Sequence, residues 1–135
     1  MEEKKVSLRL SHLENTYEAQ TSSGKILVGE GALSPVELVL VALGGCSGVD
    51  VSNILKKKRQ KVKDIRIEVV GERREEHPRV YKSIKLKYIV IGEDVSRKAV
   101  EDAVRLSLKK YCSVYTMLRE AVNIDVEMDV WEEKG

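Results

Sequence analysis

Two residues in this chain could carry covalent chemistry of their own, Cys46 and Cys112. They sit in the segments Leu43-Gly44-Gly45-Cys46-Ser47 and Lys110-Tyr111-Cys112-Ser113-Val114. Two thiols far apart in sequence can run a reaction that one cannot. The first attacks, and the second resolves the product as a disulfide. Neither cysteine has neighbours at metal-ligand spacing, so no metal and no cofactor are expected. His12 and His77 form no metal pattern and no Cys–His dyad, and read as structural or solvated.

A thiolate, not a thiol, is the nucleophile, and its surroundings set how much is present. Cys46 falls about three turns into the helix expected to carry it, too deep for the helix dipole to help. A cation or donor from elsewhere must then activate it, and Arg9, Lys110 and Arg119 are the candidates. Cys112 opens a short helix beside Lys109 and Lys110, where free N–H groups and positive charge should favour the thiolate. At about 100° per residue, Asp50 and Asn53 share the helical face of Cys46, while Glu37 points nearly opposite. Asp50 is therefore the carboxylate expected beside the thiol. It either pairs with a nearby Arg or Lys, as activation of Cys46 would require, or is merely solvated or hydrogen-bonded.

Gly44, Gly45 and Gly48 flank Cys46. Each mid-helix glycine costs about 1 kcal/mol against alanine. Close approach of a backbone or substrate would explain them, and so would tight helix packing without chemistry. The run from Lys56 to Lys61 is the one basic cluster. It reads as a solvated helix end complementing the dipole, with phosphate binding as the weaker alternative.

The elements that must position the thiols follow from periodicity. Residues 4–12, 16–20 and 25–28 alternate as short strands separated by turns at Glu14-Asn15 and Ser22-Ser23-Gly24. Ser34-Pro35-Val36-Glu37 is a capping box with proline at the first helical position. The helix it opens should reach about Lys58. Its half from Val36 to Leu43 is apolar nearly all round except Glu37, the pattern of a helix buried on most sides. One small domain has trouble burying it alone, so a partner subunit is expected. Residues 62–71 and 80–91 read as a long hairpin. A helix should run from Asp94-Val95-Ser96 to about Lys110, a shorter one from Ser113 to about Val122, and a last strand from Ile124 to Trp131. The order β-β-β-α-β-β-α-α-β is an α+β arrangement of antiparallel hairpins and helices in a single domain, 1–135.

Composition narrows the function. The net charge is +2, with acidic and basic residues interspersed and 34% of the chain charged. No basic stripe with interleaved aromatics is present, so no nucleic acid partner is expected. No signal peptide and no uninterrupted apolar run of about 18 residues is found, so no membrane partner is expected either. A cytoplasmic location follows, where two cysteines are more often catalytic, redox-sensing or simply buried than bridged. The Lys, Glu and Arg enrichment with few Asn and Gln matches a thermophile-like bias.

The stretch from Leu33 to Cys46 resembles the central-helix motif of the OsmC/Ohr family (osmotically induced protein C and organic hydroperoxide resistance). So does Lys110-Tyr111-Cys112-Ser113-Val114 at the second cysteine. Gly45 to Asp50, followed by Ile54-Leu55-Lys56-Lys57, is most similar to the YhfA-like branch. The resemblance implies antiparallel sheets wrapped around a buried central helix in an intertwined homodimer. It also implies a thiol-dependent peroxidase for organic hydroperoxides, with Cys46 as the peroxidatic and Cys112 as the resolving cysteine and an external dithiol as reductant. Asp50, Glu37, Arg9 and Lys110 are possible supporting residues. Two positions depart from the family pattern. Val36 stands where the peroxidases place a glutamate, and the N-terminal turn Leu13-Glu14-Asn15-Thr16 lacks their arginine. Tyr115 also stands where serine is frequent. These departures leave a second reading open, a non-catalytic redox-sensing or small-hydrophobic-ligand-binding dimer. A third is a purely structural dimer with buried thiols.

Overall fold

The computed structural model describes residues 1–134. Its contacts fall into two compact units, residues 1–39 and residues 40–135.

The first unit is a three-stranded antiparallel meander. It comprises β1 (Ser7–Leu10), β2 (Thr16–Gln20) and β3 (Lys25–Gly29), in the order β1-β2-β3. Thr16 is its polar anchor. The buried hydroxyl donates to the Glu14 carbonyl at 2.8 Å and accepts the Gly31 N–H at 2.9 Å, pinning two loops at one point. Gly29 is required where it stands, because at φ +139° a Cβ would lie 2.3 Å from the Asn15 carbonyl oxygen. Val6, Leu8, Leu10, Tyr17 and Ile26 remain exposed, a large apolar surface for a meander of this size.

Helix α1 (Pro35–Lys57) begins in this unit and continues into the second. Its start is the expected cap: the Ser34 hydroxyl accepts the Glu37 N–H at 3.4 Å. Its end, Lys57, lies one residue from the expected position. By length and composition α1 could cross a membrane. Glu37 and Asp50 interrupt its apolar character, and Leu43, Val51 and Leu55 are fully buried in the core, so it reads here as a core helix.

The second unit holds a second three-stranded sheet, β4 (Lys61–Arg73), β5 (Tyr81–Glu93) and β6 (Asn123–Glu132), in the order β4-β5-β6. β5 is central, with Ile84, Leu86, Tyr88, Ile89, Val90 and Ile91 buried. The hairpin β4–β5 is as expected, but β6 runs parallel to β5, so the arrangement is not wholly antiparallel. Parallel neighbours need a crossover connection. Residues 97–118 supply it, a link that period counting within single strands does not reveal.

The crossover also departs from expectation. Helix α2 (Arg97–Leu106) opens with the Ser96 hydroxyl accepting the Ala99 N–H, and buries Ala99, Val100, Ala103 and Val104. It does not continue as α-helix to Lys110. Residues Ser107–Tyr111 form one widened π turn, here π1, closed by the Cys112 N–H on the Ser107 carbonyl at 2.7 Å. Helix α3 covers only Ser113–Leu118 rather than reaching Val122. Turns of this kind are rare and tend to occur at functional sites.

Candidate thiol site

α1 and π1 bring the two cysteines together in the second unit. Cys46 is half-buried and packs against a core cluster that includes the buried Cys112. Both thiols are free, and they lie close enough for Cys46 to raise the pKa of Cys112 directly.

Cys112 is the N-cap of α3, and its Sγ accepts the Tyr115 N–H at 3.4 Å. That is the anion-favouring setting expected from sequence, yet the thiolate is not favoured. Burial dominates and pushes the thiol from an ordinary 9.0 up to about 11. The Tyr115 N–H offsets this only in part, and Cys46 and Asp50 add to the rise. Removing a charge from water outweighs one backbone donor. Lys110 lies over the Tyr111 ring with Nζ 5.4 Å from its centre.

Asp50, about one turn after Cys46 on α1, has a hydroxyl as its partner. Its Oδ2 accepts the Ser107 O–H at 3.0 Å. Ser107 Oγ in turn lies 2.8 Å from Ser47 Oγ, and Ser47 Oγ lies 2.6 Å from the Tyr88 hydroxyl. Ser47, Ser107 and Tyr88 are fully buried. Counting protons orients the chain. Each hydroxyl owns one hydrogen. Ser107 gives its hydrogen to the carboxylate, so Ser47 donates to Ser107 and Tyr88 donates to Ser47. Tyr88 is raised from 10.0 to about 12, chiefly by burial, with Ser47 lowering it and Cys112, Tyr115 and Asp50 raising it.

Glu37 is exposed in the first turn of α1, and Arg9 is on β1, paired in register with Glu18. Arg9 also lines a cavity of about 440 Å³ in the first unit, with His12 and Lys25 among its neighbours. Arg119 caps α3 and lies 5.9 Å from the Tyr115 ring.

The glycines divide by face. A Cβ on Gly44 would meet Val69 Cγ2 at 3.1 Å, and one on Gly48 would meet Ile67 Cδ1 at 2.8 Å. Both therefore let β4 side chains seat against α1. Gly45, adjacent to Cys46, faces open space within the chain. Among the described residues, no group of three or more His, Cys, Asp and Glu side chains could hold a metal ion.

Sequence reasoning missed Ser47, Tyr88 and Ser107. Their signals were present. Tyr88 falls in the inward alternation of β5, and a buried tyrosine hydroxyl needs a partner. Ser107 lies seven residues after Val100 and carries the buried stripe of α2 on into π1.

Two three-stranded sheets, a long glycine-bearing helix and two free thiols on neighbouring segments define a small α+β thiol protein. The family model for OsmC-like proteins matches residues 28–127, and the chain belongs to the OsmC family. It is 48% identical to the protein YhfA of Escherichia coli (strain K12) over 120 residues, covering 85% of this chain and 90% of that one. A hypothetical protein from Aquifex aeolicus VF5 has the same structure with a TM-score of 0.95 and 50% identity, covering 99% of this chain and 100% of its own. The organic hydroperoxide resistance protein OhrB of Bacillus subtilis shares the fold at 16% identity, with a TM-score of 0.62 over 94% of this chain and 98% of its own.

Proposed function

We propose that the chain is a thiol-dependent peroxidase acting on organic hydroperoxides, built as one OsmC-like domain that works as a homodimer in the reducing cytoplasm. The single observation that carries the reading is the free Cys46–Cys112 pair, held in contact across two chain segments. In the first step the Cys46 thiolate attacks the distal peroxide oxygen. The O–O bond breaks, the alkoxide leaves as the alcohol after taking a proton, and Cys46 becomes a sulfenic acid. In the second step Cys112 sulfur attacks Cys46 sulfur. The S–O bond breaks, and hydroxide leaves as water with the Cys112 proton. An external dithiol returns the disulfide to two thiols. Cys46 suits the first role because it is the less buried thiol. Cys112 suits the second, because a thiol with a pKa of about 11 is a poor first nucleophile at neutral pH but needs only to meet an adjacent electrophile.

The expected outcome is that Cys46→Ser loses cumene hydroperoxide reduction in the presence of a dithiol by more than about a hundredfold, as removal of a covalent nucleophile does. A variant that matches the wild type removes the reading.

Support for the dimer comes from α1 and the meander. Val41 and Val49 are more than 60% exposed, and Ala42, Gly45 and Ser52 continue their open face with small side chains. Sedimentation equilibrium should return twice the 15.2 kDa chain mass. A monomer would leave this apolar face in water.

A non-catalytic redox sensor is the second reading, favoured by Val36 at the position of the family's glutamate and by the hydroxyl in place of a cation on Asp50. Dimedone trapping of a Cys46 sulfenic acid after one equivalent of hydroperoxide, followed by repeated turnover, separates the two.

A further inference from the structure

Ser107 touches both thiol-bearing segments, and nothing in peroxide chemistry itself requires it. Its carbonyl accepts the Cys112 N–H at 2.7 Å and so closes the widened turn that ends at Cys112. Its hydroxyl bonds Ser47, the residue after Cys46, at 2.8 Å and Asp50, one turn further along α1, at 3.0 Å. Tyr88 completes the chain from β5 through Ser47 at 2.6 Å. One buried residue therefore fixes the backbone of one cysteine and the helical face of the other. A regular α-helical turn would place the Cys112 N–H on the carbonyl of residue 108 instead. The widened turn moves that bond to Ser107 and delivers Cys112 to the start of α3.

We propose that Ser107 is a positioning residue, tying π1 to α1 so that the Cys46 and Cys112 sulfurs meet at disulfide-forming separation. A disulfide tolerates little error in the approach of its two Cα atoms. The buried hydroxyl chain supplies the constraint, because each of its members would be left unsatisfied if the segments slid apart. The reaction through which this is read is simple exchange. Two protein thiols and one glutathione disulfide become one protein disulfide and two reduced glutathiones.

The inference rests on reading the two cysteines as a reacting pair, but its test uses no peroxide. Failure of the peroxidase reading would therefore leave the result standing. The purified protein is equilibrated in glutathione buffers of graded ratio, and the Cys46–Cys112 disulfide is quantified by alkylation and mass spectrometry. Ser107→Ala should lower the equilibrium constant about fivefold, the effect of one net buried hydrogen bond. Ser107→Thr keeps the hydroxyl and should stay within about twofold of wild type, less than the same bond's worth. An unchanged constant in Ser107→Ala overturns the proposal. So does an equal loss in Ser107→Thr, which would assign the effect to packing, and so does a wild type that forms no such disulfide. If Ser107→Ala does not fold, Asp50→Ala removes the anchor at its half-exposed end. A lowered constant then supports the proposal and an unchanged one overturns it.

Discussion

The two cysteines share a contact but not an environment. Cys46 sits mid-helix on α1, half-buried, with a glycine beside it that faces open space. Cys112 sits at a cap, enclosed, beneath a rare turn and beside a buried hydroxyl chain. By local sequence Cys112 has the better setting for a thiolate, since it caps a helix and follows two lysines. Burial reverses that ranking and pushes it to about 11. The lesson is that a helix cap tunes a thiol only while water can reach it. Once the thiol is enclosed, desolvation decides. Under the proposed mechanism, accessibility suits Cys46 to attack and enclosure suits Cys112 to resolution.

The sharpest way to break this division is to remove the enclosed thiol alone. Cys112→Ser should cut multiple-turnover hydroperoxide reduction by a dithiol more than about tenfold, while Cys46 still forms a long-lived sulfenic acid trapped by dimedone. If Cys112→Ser turned over like the wild type, the enclosed thiol would not be the resolver. If it formed no sulfenic acid, the half-buried thiol would not attack first.

The enclosure itself has a pH signature. Cys112 binds its proton more tightly in the folded chain, at about 11 against an ordinary 9.0. Its contribution to stability is therefore complete below about 9 and is lost as pH rises through about 11. Tyr88, raised from 10.0 to about 12, acts with the same sign at higher pH. The denaturant midpoint of the reduced wild type, minus that of Cys112→Ala, should shrink steadily between about pH 9 and 11. A flat difference would mean that water reaches Cys112 and that the contrast between the thiols is not one of burial.

Part of this contrast is legible in the sequence. Ser34-Pro35 fixes the start of α1, and counting from it places Cys46 and Asp50 on one face. The phase of Asp50 relative to Cys46 follows because an α-helix rotates by a constant angle per residue. Its partner was not legible, because Ser107 reaches it across the fold. The parallel pairing of β6 with β5 was hidden for the same reason. A strand's alternation reports which face is buried but not which way the neighbour runs. The widened turn at Ser107–Tyr111 left no periodic trace either, since a single extra residue per turn over five residues lies below what apolar spacing resolves. Cys112 is a different case: its local signals favour the thiolate, and burial, a tertiary effect, outweighs them.

The smallest expected effects lie in the glycines beside Cys46, and they test what fills its open side. In a solvent-exposed helix interior, glycine to alanine gains about 1 kcal/mol. Gly48→Ala should forfeit that gain, because its Cβ would meet Ile67 Cδ1 at 2.8 Å. Gly45→Ala has no neighbour within 4 Å in the chain and should gain fully if that face stays in water. The proposed dimer requires the opposite. A second subunit packed on Val41, Gly45 and Val49 would turn the added methyl into a clash, so Gly45→Ala should unfold earlier than wild type by thermal denaturation. Its dimer should also dissociate at higher concentration. A stabilised Gly45→Ala dimer would place the subunit contact away from Cys46, leaving that side of the thiol open to substrate alone.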